Sequence, residues 1–331
     1  MTNSPIIDRF GRKIANVRIS VTDRCNFRCR YCMPTDPEFS PKEEIITFEE
    51  IIRLTRILHS TGIHKYRLTG GEPTIRKSID SLVRAIKEIC PKITVGMTTN
   101  GVKLAQLAPA LKKAGLDSVN ISLDSTNEET FNHLVQRKHF NEVMQGIEAA
   151  IAQGFKTKIN AVALKGITDR EIDQFLNFSE QKDIEVRFIE LMPFNGNEDF
   201  RSFFLSKNDL LELFARIDEP IPLPKKDPSQ TSTVYGFRNR KARIGFIPSV
   251  TESFCASCNR IRITASGTLR PCLHAPDEIP LRELLRNNDN DEVILATIRE
   301  GVSRKWKEHP DFNVLTYKPP VSDRAMMLIG G

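Results

Sequence analysis

The sequence predicts an α/β protein, an incomplete (β/α)6 TIM-like barrel followed by a smaller C-terminal α+β domain that carries a second cysteine-rich site. Three observations lead there. Strand-like and helix-like patterns alternate through the first two thirds of the 331 residues, as a parallel sheet with outer helices requires. Only six strand patterns occur, too few to close the usual eight-stranded barrel. Four prolines within residues 219–228 then interrupt the alternation and forbid a regular helix there.

Taken in order, residues 17–21 read as the first strand and run directly into Cys25, Cys29 and Cys32, a C-x3-C-x2-C spacing. Thr47-Phe48-Glu49-Glu50 has the spacing of a capping box, and Ile51, Ile52, Leu54, Ile57 and Leu58 give a helical apolar face that stops near Gly62. Residues 65–69, 93–98, 118–123, 157–164 and 185–190 repeat the strand pattern, with helical patterns between most of them. In such barrels chemistry gathers on loops after the C-terminal strand ends. The polar motifs fall there: Gly70-Gly71-Glu72-Pro73, Thr98-Thr99-Asn100-Gly101, Ser122-Leu123-Asp124-Ser125 and Glu190-Leu191-Met192-Pro193, while Lys158 and Asn160 share one face of the fifth strand. Singly, Asn100-Gly101 is a turn, Met192 fills a core and Lys158 is a solvated charge. Placement around one mouth is what makes them a site.

The prolines divide the chain into a barrel at 1–219, a linker at 220–230 and a second domain at 231–331. Within the last, 234–237 and 243–247 read as strands, and Cys255, Cys258 and Cys272 form a C-x2-C-x13-C trio. Between them Arg260 and Arg262 alternate with Ile261 and Ile263, so both guanidiniums share a face. Ser266-Gly267 turns the chain and brings Cys272 back beside Cys258. Paired arginines, with Arg270 close by, suit a polyphosphate, because guanidinium forks bind phosphate oxygens through two donors at once. Zinc is open as an alternative for each trio, more so for the second, where His274 offers a fourth ligand.

Composition bounds the function. At 40% hydrophobic and 27% charged, with a net charge of +6, the chain reads as an ordinary cytoplasmic enzyme. No apolar run approaches the roughly eighteen residues of a membrane span, and the first residues lack an apolar signal core. Seven cysteines, six of them in two trios and Cys90 left over, argue for metal ligation in a reducing compartment, not for disulfides. The basic excess is not concentrated in a block, which argues against nucleic acid. A zinc-containing RNA-binding module is the competing reading of another class.

The first cysteine run followed by Gly70-Gly71-Glu72-Pro73 resembles the radical S-adenosylmethionine (SAM) superfamily. The resemblance implies a 4Fe-4S cluster held by Cys25, Cys29 and Cys32, with an open iron that takes SAM. Cys255-Ala256-Ser257-Cys258-Asn259-Arg260-Ile261-Arg262, Leu269-Arg270-Pro271-Cys272 and the final Arg324 to Gly331 look like the GTP-cyclising branch of that superfamily, which opens molybdenum cofactor (molybdopterin) synthesis. Another radical SAM enzyme with an auxiliary cluster is the alternative within this class. The resemblance implies that Tyr31, Gly71, Ser122 and Met192 contact SAM. A second 4Fe-4S cluster would sit on Cys255, Cys258 and Cys272, and Arg18, Arg67, Thr98, Lys158, Arg260, Ile261 and Arg262 would line the GTP site. Catalysis would involve Arg18, Arg260 and Arg262, with Gly330 and Gly331 entering the site. In the implied reaction a 5′-deoxyadenosyl radical takes the 3′-hydrogen of GTP and the product is 3′,8-cyclo-7,8-dihydro-GTP. It also implies an external electron donor and a downstream enzyme that makes cyclic pyranopterin monophosphate, with the protein a monomer or homodimer.

Overall fold

The computed structural model describes residues 4–194, 200–225, 227, 229–287, 289–309 and 325–330. In the first half the elements run β1 (Asn16–Ser20), α1 (Phe48–His59), β2 (Lys65–Thr69), α2 (Ile79–Ile89), β3 (Thr94–Thr99), α3 (Leu104–Lys113), β4 (Ser118–Ser122), α4 (Glu128–Val135), α5 (Phe140–Ala152), β5 (Lys156–Ala163), α6 (Ile172–Lys182) and β6 (Glu185–Glu190). The second half adds α7 (Phe200–Phe203), α8 (Lys207–Ala215), β7 (Pro220–Pro222), β8 (Thr233–Phe237), β9 (Arg243–Ile247), β10 (Arg260–Ile263), β11 (Thr268–Arg270), β12 (Ile279–Pro280), α9 (Arg282–Arg286) and α10 (Asp291–Ser303).

Local chemistry accounts for the helices. Thr47 caps α1 by accepting from the Glu50 amide at 3.2 Å, and the Glu50 carboxylate accepts from the Thr47 amide at 2.7 Å, satisfying two of the donors a helix start leaves open. Ile51, Leu54, Ile57 and Leu58 turn one face to the sheet and are buried, while Ile52 stays half-buried.

The six barrel strands are parallel, as expected, but the sheet does not stop at six. Its order is β12-β11-β10-β1-β2-β3-β4-β5-β6-β9-β8-β7. Strand β10 adds parallel to β1, and β9 adds parallel to β6, giving eight neighbouring parallel strands that remain open. The strands expected to form a smaller unit of their own extend both edges of one mixed sheet. Pro220–Pro222, read from sequence as connector, pairs antiparallel with β8 at the outermost edge, where proline costs no ladder bond. The core runs across this join: Phe188 of β6 meets Phe175, Phe214 and Phe246 at ring-centroid distances of 5.1, 5.8 and 6.3 Å.

Strand alternation sorts the side chains. Val17, Ile19, Tyr66, Leu68, Val95, Met97, Val119, Ile121, Ile159, Val186, Ile261 and Ile263 are buried in the core. Arg18, Arg67, Gly96, Thr98, Asn120, Lys158, Asn160, Arg187, Arg260 and Arg262 alternate with them and belong to the opposite, concave face. Register aligns Arg18 with both Arg262 and Arg67, so three guanidiniums stand in a row across three adjacent strands.

Candidate active site

The first cysteine loop is fixed by the Gly70-Gly71-Glu72 segment beside it. The Gly71 amide donates to the Thr22 carbonyl at 2.7 Å and the Glu72 amide to that of Arg24 at 2.8 Å. A Cβ on Gly71 would lie 2.3 Å from the Arg24 carbonyl oxygen, so glycine is required here because two loops touch. Glu72 is buried, and accepts from Thr74 Oγ1 at 2.5 Å, Asn100 N at 2.6 Å, Thr99 Oγ1 at 2.7 Å and Thr74 N at 2.9 Å. It ties the loops after β2 and β3 together. Tyr31 donates to Asp124 at 2.5 Å, which joins the cysteine loop to the end of β4.

Beside them lies a cavity of about 110 Å³ bounded by Cys25, Cys29, Tyr31, Gly71, Thr98 and Ser122 among others. Burial pushes the Cys25 thiol up to about 11 and Cys32 to about 12, and Cys29 also rises, with burial the largest cause. Without a cationic metal these sulfurs are held as thiols.

The second trio has the opposite electrostatics. Cys255, Cys258 and Cys272 line an open cleft of about 190 Å³ together with Arg18, Arg187, Arg260, Arg262 and Lys305. No Asp or Glu is among the described residues that line it. Burial raises the Cys258 thiol, but Lys305 and Arg260 outweigh that and bring it down to about 7. Arg262 falls to about 10 through burial and then repulsion by Arg260, and Arg67 to about 10 through burial and then Arg187. Arg18 is held well below its usual range by burial and by Arg262, Arg260 and Arg67. Glu185 pairs with Arg187, and the remaining cations crowded in this way form a site for an anion of several charges.

The chain's last described residues close this mouth. Ala325 and Met327 pack with Met33 against Cys25 and Cys32, and Arg262 donates to the carbonyls of Gly330 and Ile329. Gly330 has φ +72°, and a Cβ there would lie 2.8 Å from Thr69 Oγ1. The tail therefore spans from the first trio to the arginine row. Gly331 and Arg324 lie outside the described residues.

Most expected residues converge. Cys25, Cys29, Tyr31, Gly71 and Ser122 line the first cavity, Arg18, Met192, Arg260, Arg262 and the second trio line the cleft, and Thr98 lines both. Others stand apart. Ile261 points into the core. Arg67 donates to the Met97 carbonyl at 3.0 Å, and Lys158 is paired with Glu185 at 2.7 Å. Arg270 is engaged by Glu278 and by the Ala275 carbonyl, outside the cleft. His274, by contrast, lines the cleft with Cys272 and lies flat on Phe194, ring centroids 5.6 Å apart and 5° between planes. Among the described residues no three His, Cys, Asp or Glu side chains are grouped around a single metal ion's position. The sequence reading missed Asn120, Arg187 and Lys305, and did not assign Asn160 a role; the period-two alternation of β6 was the signal that could have found Arg187.

The donor set fits an iron–sulfur cluster and SAM in the first cavity: Cys25 and Cys29 line it and Cys32 of the same loop packs beside them against Met33 and the tail, with the buried Thr69 Oγ1 there and Asn160 Oδ1 at the cleft unpaired among the described residues.

Residues 19–179 match the Radical SAM superfamily and residues 184–310 match Molybdenum Cofactor Synthesis C. The chain is 40% identical over 331 residues to GTP 3′,8-cyclase of Clostridium botulinum, covering 98% of this chain and 100% of that protein. It is 40% identical over 311 residues to Molybdenum cofactor biosynthesis protein 1 of Drosophila melanogaster, covering 93% of this chain and 55% of that protein. The chain thus spans about half the length of the eukaryotic relatives it matches. In fold it is similar to Streptococcus suis SuiB bound to S-adenosylmethionine, with a TM-score of 0.58 at 18% identity over 97% of this chain and 79% of that one. Among the described residues no helix is long and apolar enough to cross a membrane.

Proposed function

The chain belongs to the GTP 3′,8-cyclase family of the radical SAM superfamily, and from that premise we propose that it cyclises GTP to 3′,8-cyclo-7,8-dihydro-GTP at the head of molybdenum cofactor synthesis. The observation that carries the reading is the meeting of two cavities at Thr98, one lined by Cys25 and Cys29 of the first trio and the other by the second trio and the arginines. Cys25, Cys29 and Cys32 would hold one 4Fe-4S cluster and Cys255, Cys258 and Cys272 another. When bound, the first cluster and SAM supply a radical able to abstract an unactivated hydrogen.

The chain's own residues do the rest. Tyr31, Gly71 and Ser122 shape the SAM side, with Met192 on the wall of the neighbouring cleft. Arg18, Arg260 and Arg262 take the triphosphate through paired, charge-assisted donors. Arg67 and Lys158 contribute charge from the same concave face, and Ile261 can reach substrate only through its backbone. Thr98 stands where nucleotide and adenosyl group meet. The carbonyls of Ile329 and Gly330 hold Arg262 in register, so that the sugar is presented to the first cavity and water is kept out. An external one-electron donor and a downstream enzyme that makes cyclic pyranopterin monophosphate complete the setting, which is the reducing cytoplasm.

Anaerobic incubation of the reconstituted protein with SAM, a reductant and GTP or other nucleotides tests this. The expected result is a cyclised guanine nucleotide from GTP alone; turnover of another nucleotide or none would redirect the assignment within the superfamily.

A further inference from the structure

Lys305, just past the end of α10, is the only buried lysine among the described residues, 2% exposed. Its ammonium donates to the Pro271 carbonyl at 2.6 Å and to the Arg260 carbonyl at 3.0 Å. Pro271 precedes Cys272, and Arg260 lies two residues after Cys258. No carboxylate among the described residues pairs with it. An ammonium taken out of water is costly unless its donors and its charge are both answered. Two carbonyls answer the donors, and the charge faces the cleft that the second trio lines.

The segment around it is held as firmly. Arg12, itself paired with Asp8 at 2.6 Å, donates to the carbonyls of Trp306 at 2.6 Å, Cys255 at 2.7 Å and Lys307 at 2.9 Å. Lys305 and Arg12 therefore brace the loops of all three second-trio cysteines from behind.

We propose that Lys305 is a positioning residue for the second trio, fixing the strand of Cys258, Arg260 and Arg262 to the loop of Cys272 and lending a permanent positive charge to whatever anionic cluster the three thiolates hold. The proposal rests on the second-cluster reading. A positive charge close to a cluster favours its reduced form, so its loss shifts the midpoint potential downward. A role in bracing alone would leave the potential where it was.

The test uses the full chain, reconstituted anaerobically, comparing wild type with Lys305→Gln, which keeps N–H donors without charge, and Lys305→Met, which keeps neither. Iron and acid-labile sulfide are counted, and redox titration is followed through the paramagnetic signal that SAM leaves unperturbed. Expected are near-normal iron with a more negative second-cluster potential in Lys305→Gln, and loss of both potential and second-site iron in Lys305→Met. Should Lys305→Met not fold, Lys305→Gln alone decides the matter. Wild-type iron and potential in Lys305→Gln would overturn the proposal while leaving the cluster reading intact. One cluster's worth of iron in the wild type would overturn the cluster reading, and this proposal with it.

Discussion

At the scale of single residues, the proposed function assigns substrate binding to one cavity and radical generation to the other. Arg260→Ala and Arg262→Ala each remove charge-assisted phosphate contacts, which are worth about 1.5–3 kcal/mol, so GTP binding should weaken by about 10- to 100-fold. Cleavage of SAM by a chemical reductant should persist, because the first trio is untouched. Equal loss of both, measured by calorimetry and by 5′-deoxyadenosine release, would misplace the substrate. The thiols give a second expectation for the metal-free chain. Cys258 is lowered from an ordinary 9.0 to about 7, whereas Cys25 is raised to about 11 and Cys32 to about 12. The lowered thiol stabilises the fold above pH 9, a contribution lost as pH falls through about 7; the raised thiols stabilise it below pH 9 and lose that as pH rises through 11 and 12. Alkylation followed by peptide mass spectrometry should therefore label Cys258 well before Cys25 or Cys32 at pH 8. Labelling in the reverse order would contradict the electrostatics. The sequence showed part of this difference, since Arg260 lies two residues from Cys258. The other part is Lys305, brought in from 47 residues beyond Cys258 by the fold.

Among the elements, α1 and the tail make contrasting cases. Thr47→Ala removes a capping box far from either cavity and should cost about 1 kcal/mol of stability with no change in turnover. The tail should do the reverse. Gly330→Val forces a β-branched residue into positive φ against Thr69 and Ser20, and removal of Gly330 and Gly331 frees Arg262. In both variants the melting temperature, cluster content and most GTP affinity should survive, while cyclisation falls on the order of a hundredfold or more, as a misplacement of about 1 Å can cause. Partial rescue by an added peptide ending in this sequence is expected, and full activity in the truncated protein would reduce the tail to packing. Element existence was readable: the first strand was expected at 17–21 and is Asn16–Ser20, the second matches Lys65–Thr69, and the box on α1 forms as its spacing implied. Partners across the sheet were not. Lys158 reads as free in sequence, and only the parallel register that sets it opposite Glu185 shows it engaged.

For the molecule as a whole, the parallel barrel could be read because each βα unit is local, while the join of β9 and β10 to its two edges depends on pairings across 50 residues or more. Arg18 and Arg262 lie 244 positions apart and become neighbours only through that pairing. Sequence motifs thus named the chemistry, and topology brought the two trios to one mouth. The central claim is that a radical generated beside the first trio acts on a nucleotide held beside the second. GTP carrying deuterium at C3′, incubated anaerobically with the reconstituted protein, SAM and a reductant, tests it by mass spectrometry of 5′-deoxyadenosine. The account predicts deuterium in 5′-deoxyadenosine, formed together with a cyclised guanine nucleotide that has lost it, and no label transfer when Arg260 and Arg262 are both alanine. Unlabelled 5′-deoxyadenosine with GTP recovered unchanged would contradict it.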